Sequence, residues 1–137
     1  MQQAELEAKF ATFRAEFEKA IAAQLEGNSE PFKALWSHKP DSMIFGAQGG
    51  MEKGWPEVGH RLDWVTGRVR ARLTRLENVS TAMHGTMAMT ADFEHMIRSL
   101  DGREHERTLR VTQAYRFEDG AWKIFYRHGD EYFPSGR

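Results

Sequence analysis

The sequence predicts an α+β domain, helices first and then a sheet of long antiparallel strands, and three observations carry that reading. Apolar residues recur with a helical period through the first half of the chain. The period switches to two beyond residue 86, where Met87, Met89, Ala91, Phe93, His95 and Ile97 alternate with Ala88, Thr90, Asp92, Glu94 and Met96. Two Asp-Gly pairs, Asp101-Gly102 and Asp119-Gly120, then cut the remainder into hairpin-sized pieces.

Taken in order, Leu6, Phe10, Phe13, Phe17, Ala20 and Gln24 stand three or four apart with charges between them, so one long helix buries a single stripe. Gly27-Asn28 stops it. Ser29 is placed to cap a short second helix carrying Phe32, Leu35 and Trp36, which Pro40 ends. A strand is expected over Met43 to Phe45. The run Gly46-Ala47-Gln48-Gly49-Gly50 is turn material, and Pro56 suits the first turn of a third helix whose face carries Val58, Leu62, Val65 and Val69. A further strand is expected at about Leu73 to Met83.

The chain has 137 residues, enough for one domain spanning 1–137. Its 40% hydrophobic and 12% aromatic content supplies a real core and excludes intrinsic disorder. A formal net charge of -1 gives no global field for nucleic acid or an anionic membrane, and neither is expected as a partner. The absence of cysteine excludes disulfides, thiolate metal sites and a cysteine nucleophile, and fits a reducing, cytoplasmic location. No apolar run reaches the roughly 18 residues of a membrane span, and no phosphate-cradling glycine motif occurs. No cofactor and no metal are expected, because the six histidines form no helical or strand pair of the ligating kind.

Turn geometry fixes strand register, so it also sets which residues share a face. A two-residue turn at Asp119-Gly120 sets Phe117 opposite Trp122, Tyr115 opposite Ile124, Gln113 opposite Tyr126, Val111 opposite His128 and Leu109 opposite Asp130, on a mostly apolar inner face. A three-residue loop, Leu100 to Gly102, then aligns Phe93 with Leu109, Ala91 with Val111 and Met89 with Gln113. The expected result is a lined cavity, apolar at one end and polar toward His95, His128 and Asp130.

His128 and Asp130, two apart on one strand, are the candidate catalytic pair: the carboxylate would orient the imidazole for general acid–base work. The alternative is a wall histidine beside a solvated strand end. Phe93, His95, Gln113 and Tyr126 are candidate ligand-binding residues on the same inferred face, with Gln113 and Tyr126 holding a polar group. Arg61, Arg68, Arg70, Arg72 and Arg75 form a basic stretch, read as solvated surface or as a grip on an acidic partner. Ala114, Phe125, Thr112 and Met96 among Arg116, Lys123 and Arg127 make the opposite face too apolar for free solvent and too charged for a core, which suits an interface.

The segments Asp41-Ser42-Met43-Ile44-Phe45-Gly46, Gly54-Trp55, and Leu109 to Ile124 continuing through Arg127-His128-Gly129-Asp130 resemble the NTF2-like superfamily, and in particular its SnoaL-like and ketosteroid-isomerase-like proteins. The resemblance covers nearly the whole chain. It implies the NTF2-like (cystatin-like) cone of N-terminal helices packed on a strongly curved antiparallel sheet, a homodimer through the outer sheet face, and a pocket for a small apolar or carbonyl-containing molecule, with Trp36 and Phe45 near its mouth as core or as pocket wall. Two uses of that pocket follow: a metal-free isomerase, cyclase, dehydratase or lyase working by proton transfer, or a non-catalytic ligand-binding or dimerisation module. Steroid isomerisation is not expected. Phe45-Gly46 stands where the isomerases carry their base, the first helix offers phenylalanine for their tyrosine, and Gln113 replaces their second aspartic acid.

Overall fold

The computed structural model describes residues 1–134. Helix α1 (Gln3–Leu25) leads into the short α2 (Glu30–Ala34), then β1 (Met43–Phe45), β2 (Glu52–Lys53) and α3 (Trp55–Thr66). Four long strands complete the chain: β3 (Ala71–His84), β4 (Met87–Leu100), β5 (Arg103–Glu118) and β6 (Ala121–Glu131). They form one six-stranded sheet in the order β2-β1-β6-β5-β4-β3, antiparallel except where β1 runs parallel to β6.

The sheet is bent by β-bulges between Leu73 and Arg75 and between Asn78 and Ser80 on β3, and by a third where β6 carries one residue more than β5 at Ala114/Tyr115. Its concave side wraps α1. Leu6, Phe10, Phe13, Phe17 and Ile21 are buried there with Tyr115, Trp122 and Ile124. The Trp122 indole crosses Phe10 at 5.1 Å between ring centres and donates its N–H to the Leu6 carbonyl at 3.0 Å. The inward placement of Tyr115, Trp122 and Ile124 expected from the last hairpin is found, with Phe117 half-buried beside them.

Most element positions follow the sequence reading, but α2 ends at Ala34, before Trp36, which bridges to Ile124, α3 ends at Thr66, before Val69, β2 is an additional short strand, and the cap of α2 differs. The Ser29 hydroxyl makes no cap bond and instead donates to Asp63 at 2.5 Å, while Asn28 Oδ1 accepts the backbone N–H of Glu30. An asparagine two residues upstream of Glu30 satisfies that orphan donor equally well.

Two registers differ from expectation, and both change which residues face the core. The β4–β5 turn is the two-residue Asp101-Gly102, at φ 52° and 73°, with Leu100 opposite Arg103. Phe93 therefore pairs with Arg110, not Leu109, and Thr90 pairs with Gln113. Ala88, Thr90, Asp92, Glu94 and Met96 are buried, and Met87, Met89, Ala91, Phe93, His95 and Ile97 take the convex face. On β6, Phe125 is the extra residue of the bulge, so parity inverts after Ile124. Gln113 pairs with Arg127, and Tyr126, His128 and Asp130 turn outward opposite Ala114, Thr112 and Arg110.

Candidate functional site

The helix face that buries Phe10 and Phe17 also carries Arg14, four residues after one and three before the other. From α1 it reaches the sheet, donating to Asp92 at 2.8 Å and to the Tyr115 hydroxyl at 3.0 Å. Asp92 also accepts from Asn78 at 2.9 Å, while its Oδ2 has no partner among the described residues. Tyr115 is fully buried, and burial pushes its hydroxyl above the ordinary range. Gln113 Nε2 donates to that hydroxyl at 2.6 Å, which lies 2.6 Å from Thr90 Oγ1. With Arg14 and Gln113 both donating, the tyrosine proton goes to Thr90.

Gln113 links this cluster to a second. Its Oε1 accepts from Arg127 Nη1 at 2.7 Å, and Arg127 grips both oxygens of Glu94 at 2.8 Å. Glu94 is fully buried and Arg127 is nearly so. Burial opposes the guanidinium charge, and the Glu94 carboxylate more than offsets it, so Arg127 stays protonated above its ordinary range. A bidentate pair with every oxygen used is the arrangement in which two desolvated charges are tolerated.

Beside Glu94 and Arg127 opens a cavity of about 70 Å³, lined mainly by apolar residues from every layer: Ile21 of α1, Phe32 of α2, Ile44 of β1, Leu62 of α3, Met96 of β4 and Leu109 of β5. Ala47, Gln48, Val65, Val69 and Arg107 also line it, and Arg107 is paired with Glu131. Gln24 closes the wall between α1 and α3 by donating Nε2 to the Leu62 carbonyl at 3.0 Å.

Of the candidate catalytic and ligand-binding residues, Gln113 joins this polar interior. Trp36 is buried in the core against Phe32, and is not part of the cavity wall. The expected placement of Phe93, His95, Tyr126, His128 and Asp130 on the concave face is corrected: all five lie on strand positions of the convex face, and Phe45, expected near the cavity mouth as core or as pocket wall, is half-buried on that same outer face and lines no part of the cavity. His128 is exposed and meets Phe45 edge-on at 5.4 Å, and Phe45 meets Tyr126 likewise at 6.2 Å. Asp130 is held by Arg110 through two bonds of 2.8 Å, which keep its carboxyl below the ordinary range. His95 sits between Glu77 Oε1 at 2.8 Å and Thr108 Oγ1 at 2.9 Å, with Phe93 near it. His95 and His128 are separated by β5 and share no site. The physical reason is the pair of one-residue register differences, each of which turns a whole strand segment over.

The expected interface residues divide similarly. Met96 and Arg127 are inside, whereas Ala114 stays on the convex face, where Met87 and Met89, which the expected register had turned inward, are exposed next to it and to Ala82 and His84. The basic stretch is partly engaged: the guanidinium groups of Arg61 and Arg68 stack on Trp64 at 4.0 and 4.1 Å. Among the described residues no three His, Asp or Glu side chains gather as a metal site, and no helix is long and apolar enough to cross a membrane.

A helix-backed curved sheet enclosing a mixed polar and apolar interior defines an NTF2-like α+β protein, and comparison with known proteins agrees. Residues 14–130 match the model of the SnoaL-like domain, and the chain belongs to that family. Solved structures show the same fold at low identity. A Thiobacillus denitrificans chain assigned as a calcium/calmodulin-dependent protein kinase type II association domain is 16% identical, with a TM-score of 0.75 over 90% of this chain and 94% of that one. A Streptomyces avermitilis chain of the NTF2-like family, assigned as a dehydratase, is 14% identical, with a TM-score of 0.74 over 92% and 96%. The CaMKII hub of S. rosetta is 16% identical, with a TM-score of 0.69 over 91% and 95%. No curated protein matches in sequence.

Proposed function

We propose that this SnoaL-like domain is a small-molecule-binding module whose cone receives the compact end of a largely apolar ligand, and that it works in the cytoplasm, as a cysteine-free chain suits. One observation carries the reading. The charged groups nearest the cavity are paired with each other, Glu94 with Arg127 and Arg107 with Glu131, and the remaining wall is mostly apolar. Such a wall buries apolar surface and orients a polar end, which is what binding requires. Acid–base turnover requires in addition a titratable group free to exchange a proton with the ligand. The geometry supports no seat for that at His128 and Asp130, whose strand face points away from the cone. Native mass spectrometry of the freshly purified protein tests the reading: a non-covalent small molecule released on denaturation supports it. Turnover of a cone-bound substrate that survives at His128→Gln but is lost at Glu94→Gln would replace it with an enzyme.

A second activity, self-association through the convex sheet face, is favoured by a specific observation: Met87 and Met89 of β4 expose 47% and 44% of their surface on that face. That structural relatives are named as an association domain and as a hub supports this reading. Sedimentation at micromolar concentration checks it, a monomeric mass being the contrary result.

A further inference from the structure

We infer that the cone selects an uncharged head group that both donates and accepts hydrogen bonds, of the primary carboxamide class, in preference to a carboxylate. The inference rests on the binding reading above and names the ligand chemistry of that same site.

Gln24 supplies the first half. It is 4% exposed, lines the cavity, and spends its Nε2 on the Leu62 carbonyl. That bond fixes the amide orientation, because a carbonyl cannot accept from an oxygen. Gln24 Oε1 is thereby left as a buried acceptor with no partner among the described residues. A buried acceptor without a donor is costly, and a ligand N–H or O–H removes that cost. Arg127 supplies the second half: Nη1 donates to Glu94 and Gln113 and Nη2 to Glu94, and its other N–H groups can serve a ligand carbonyl.

Charge decides between an amide and an acid. Arg127 is already neutralised by Glu94, so an entering carboxylate would meet a second carboxylate beside the guanidinium it seeks. Arg107 is likewise engaged by Glu131. An ammonium head group would meet Arg127 itself. A neutral amide avoids both repulsions and offers the donor and the acceptor from one planar group. The cavity, of about 70 Å³, is on the scale of a small head group, and its apolar wall at Val65 and Val69 takes the adjoining part of the ligand's apolar body.

The test uses the full-length protein and three matched probes, pentanamide, pentanoate and cyclopentane, titrated by backbone and methyl NMR shifts near neutral pH. Pentanamide is expected to bind at least tenfold tighter than pentanoate. Gln24→Leu is expected to weaken pentanamide about five- to tenfold, the value of one buried hydrogen bond, while leaving cyclopentane unchanged. Equal or tighter pentanoate binding overturns the inference, as does a Gln24→Leu protein that binds pentanamide normally. If Gln24→Leu fails to fold, the amide-to-acid ratio of the unaltered protein decides alone. Binding of cyclopentane with no preference for the amide refutes this inference and leaves the binding reading standing; failure of all three probes to enter the cone refutes both.

Discussion

Removing one partner of the Glu94–Arg127 pair is the most informative perturbation of the fold, because the account requires the two charges to be satisfied almost wholly by each other. Glu94 is fully buried, and both its oxygens are held by Arg127 at 2.8 Å. Glu94→Leu strands a buried guanidinium and Arg127→Met strands a buried carboxylate, each expected to cost about 3–5 kcal/mol. Simple addition would give about 6–10 kcal/mol, much of the roughly 7–20 kcal/mol available to a domain of this length. The double variant is expected to cost far less. It removes both charges together, and the chief residue of damage is Gln113 Oε1, which loses its bond from Arg127 and is left unpaired at about 1–3 kcal/mol. Urea denaturation followed by circular dichroism, with unchanged m values, measures all three. Strict additivity in the cycle would refute the reasoning, since it would mean that each charge is stabilised by something other than its partner.

Three further outcomes are expected. Trp122→Ala removes a core indole, its contact with Phe10 and its bond to Leu6, and should cost about 3–5 kcal/mol in urea denaturation; a cost below about 1 kcal/mol would place the indole outside the core. Arg116 holds Asp41 through bonds of 2.7 and 2.6 Å and Glu118 through one of 2.6 Å. The bond from Arg116 lowers the Asp41 carboxyl; burial opposes ionisation of Glu118, but bonds from Ser37 and Arg116 outweigh it and lower that group too. Groups lowered in the folded state contribute stability above their unfolded values of 3.8 and 4.5 and lose it as pH falls through the folded ones, so Arg116→Met should flatten the loss of stability on acidification below about pH 4.5. Met89→Glu places a charge on the convex face and should convert a sedimenting dimer to monomer without loss of thermal stability; an unchanged mass would move the interface elsewhere.

The elements were legible because each rests on local chemistry: the phenylalanine stripe of α1, Pro56 behind Gly54 at the start of α3, and Asp-Gly at two hairpins. The site was less legible, for two physical reasons that act on single residues. Asp101-Gly102 makes the same two-residue turn as Asp119-Gly120, with both central residues at positive φ, and treating the two pairs alike would have turned Asp92 and Glu94 inward. A choice based on hydrophobicity put Phe93 and Met89 inside instead, because carboxylates are rarely fully buried without a partner. Their partners were present in the sequence: Arg14 lies on the apolar stripe of α1, a position that demands a buried acceptor. The bulge at Phe125 left no such trace, as one extra residue in a strand changes no composition and yet turns Arg127 in and His128 out. Gln24, by contrast, was visible as the polar end of a buried stripe, and its orphan acceptor needed only the Leu62 carbonyl to be located.

The central claim, that the cone is a binding site for a compact head group on an apolar body, is tested most directly by a methyl 1H–13C titration with pentanamide. The account predicts saturable shifts at Ile21, Leu62, Val65, Val69 and Leu109, which line the cavity, with the exposed methyls of Val79, Met87 and Met89 unmoved. Shifts confined to those exposed methyls, or none at the cavity wall up to the solubility limit of the probe, would contradict it.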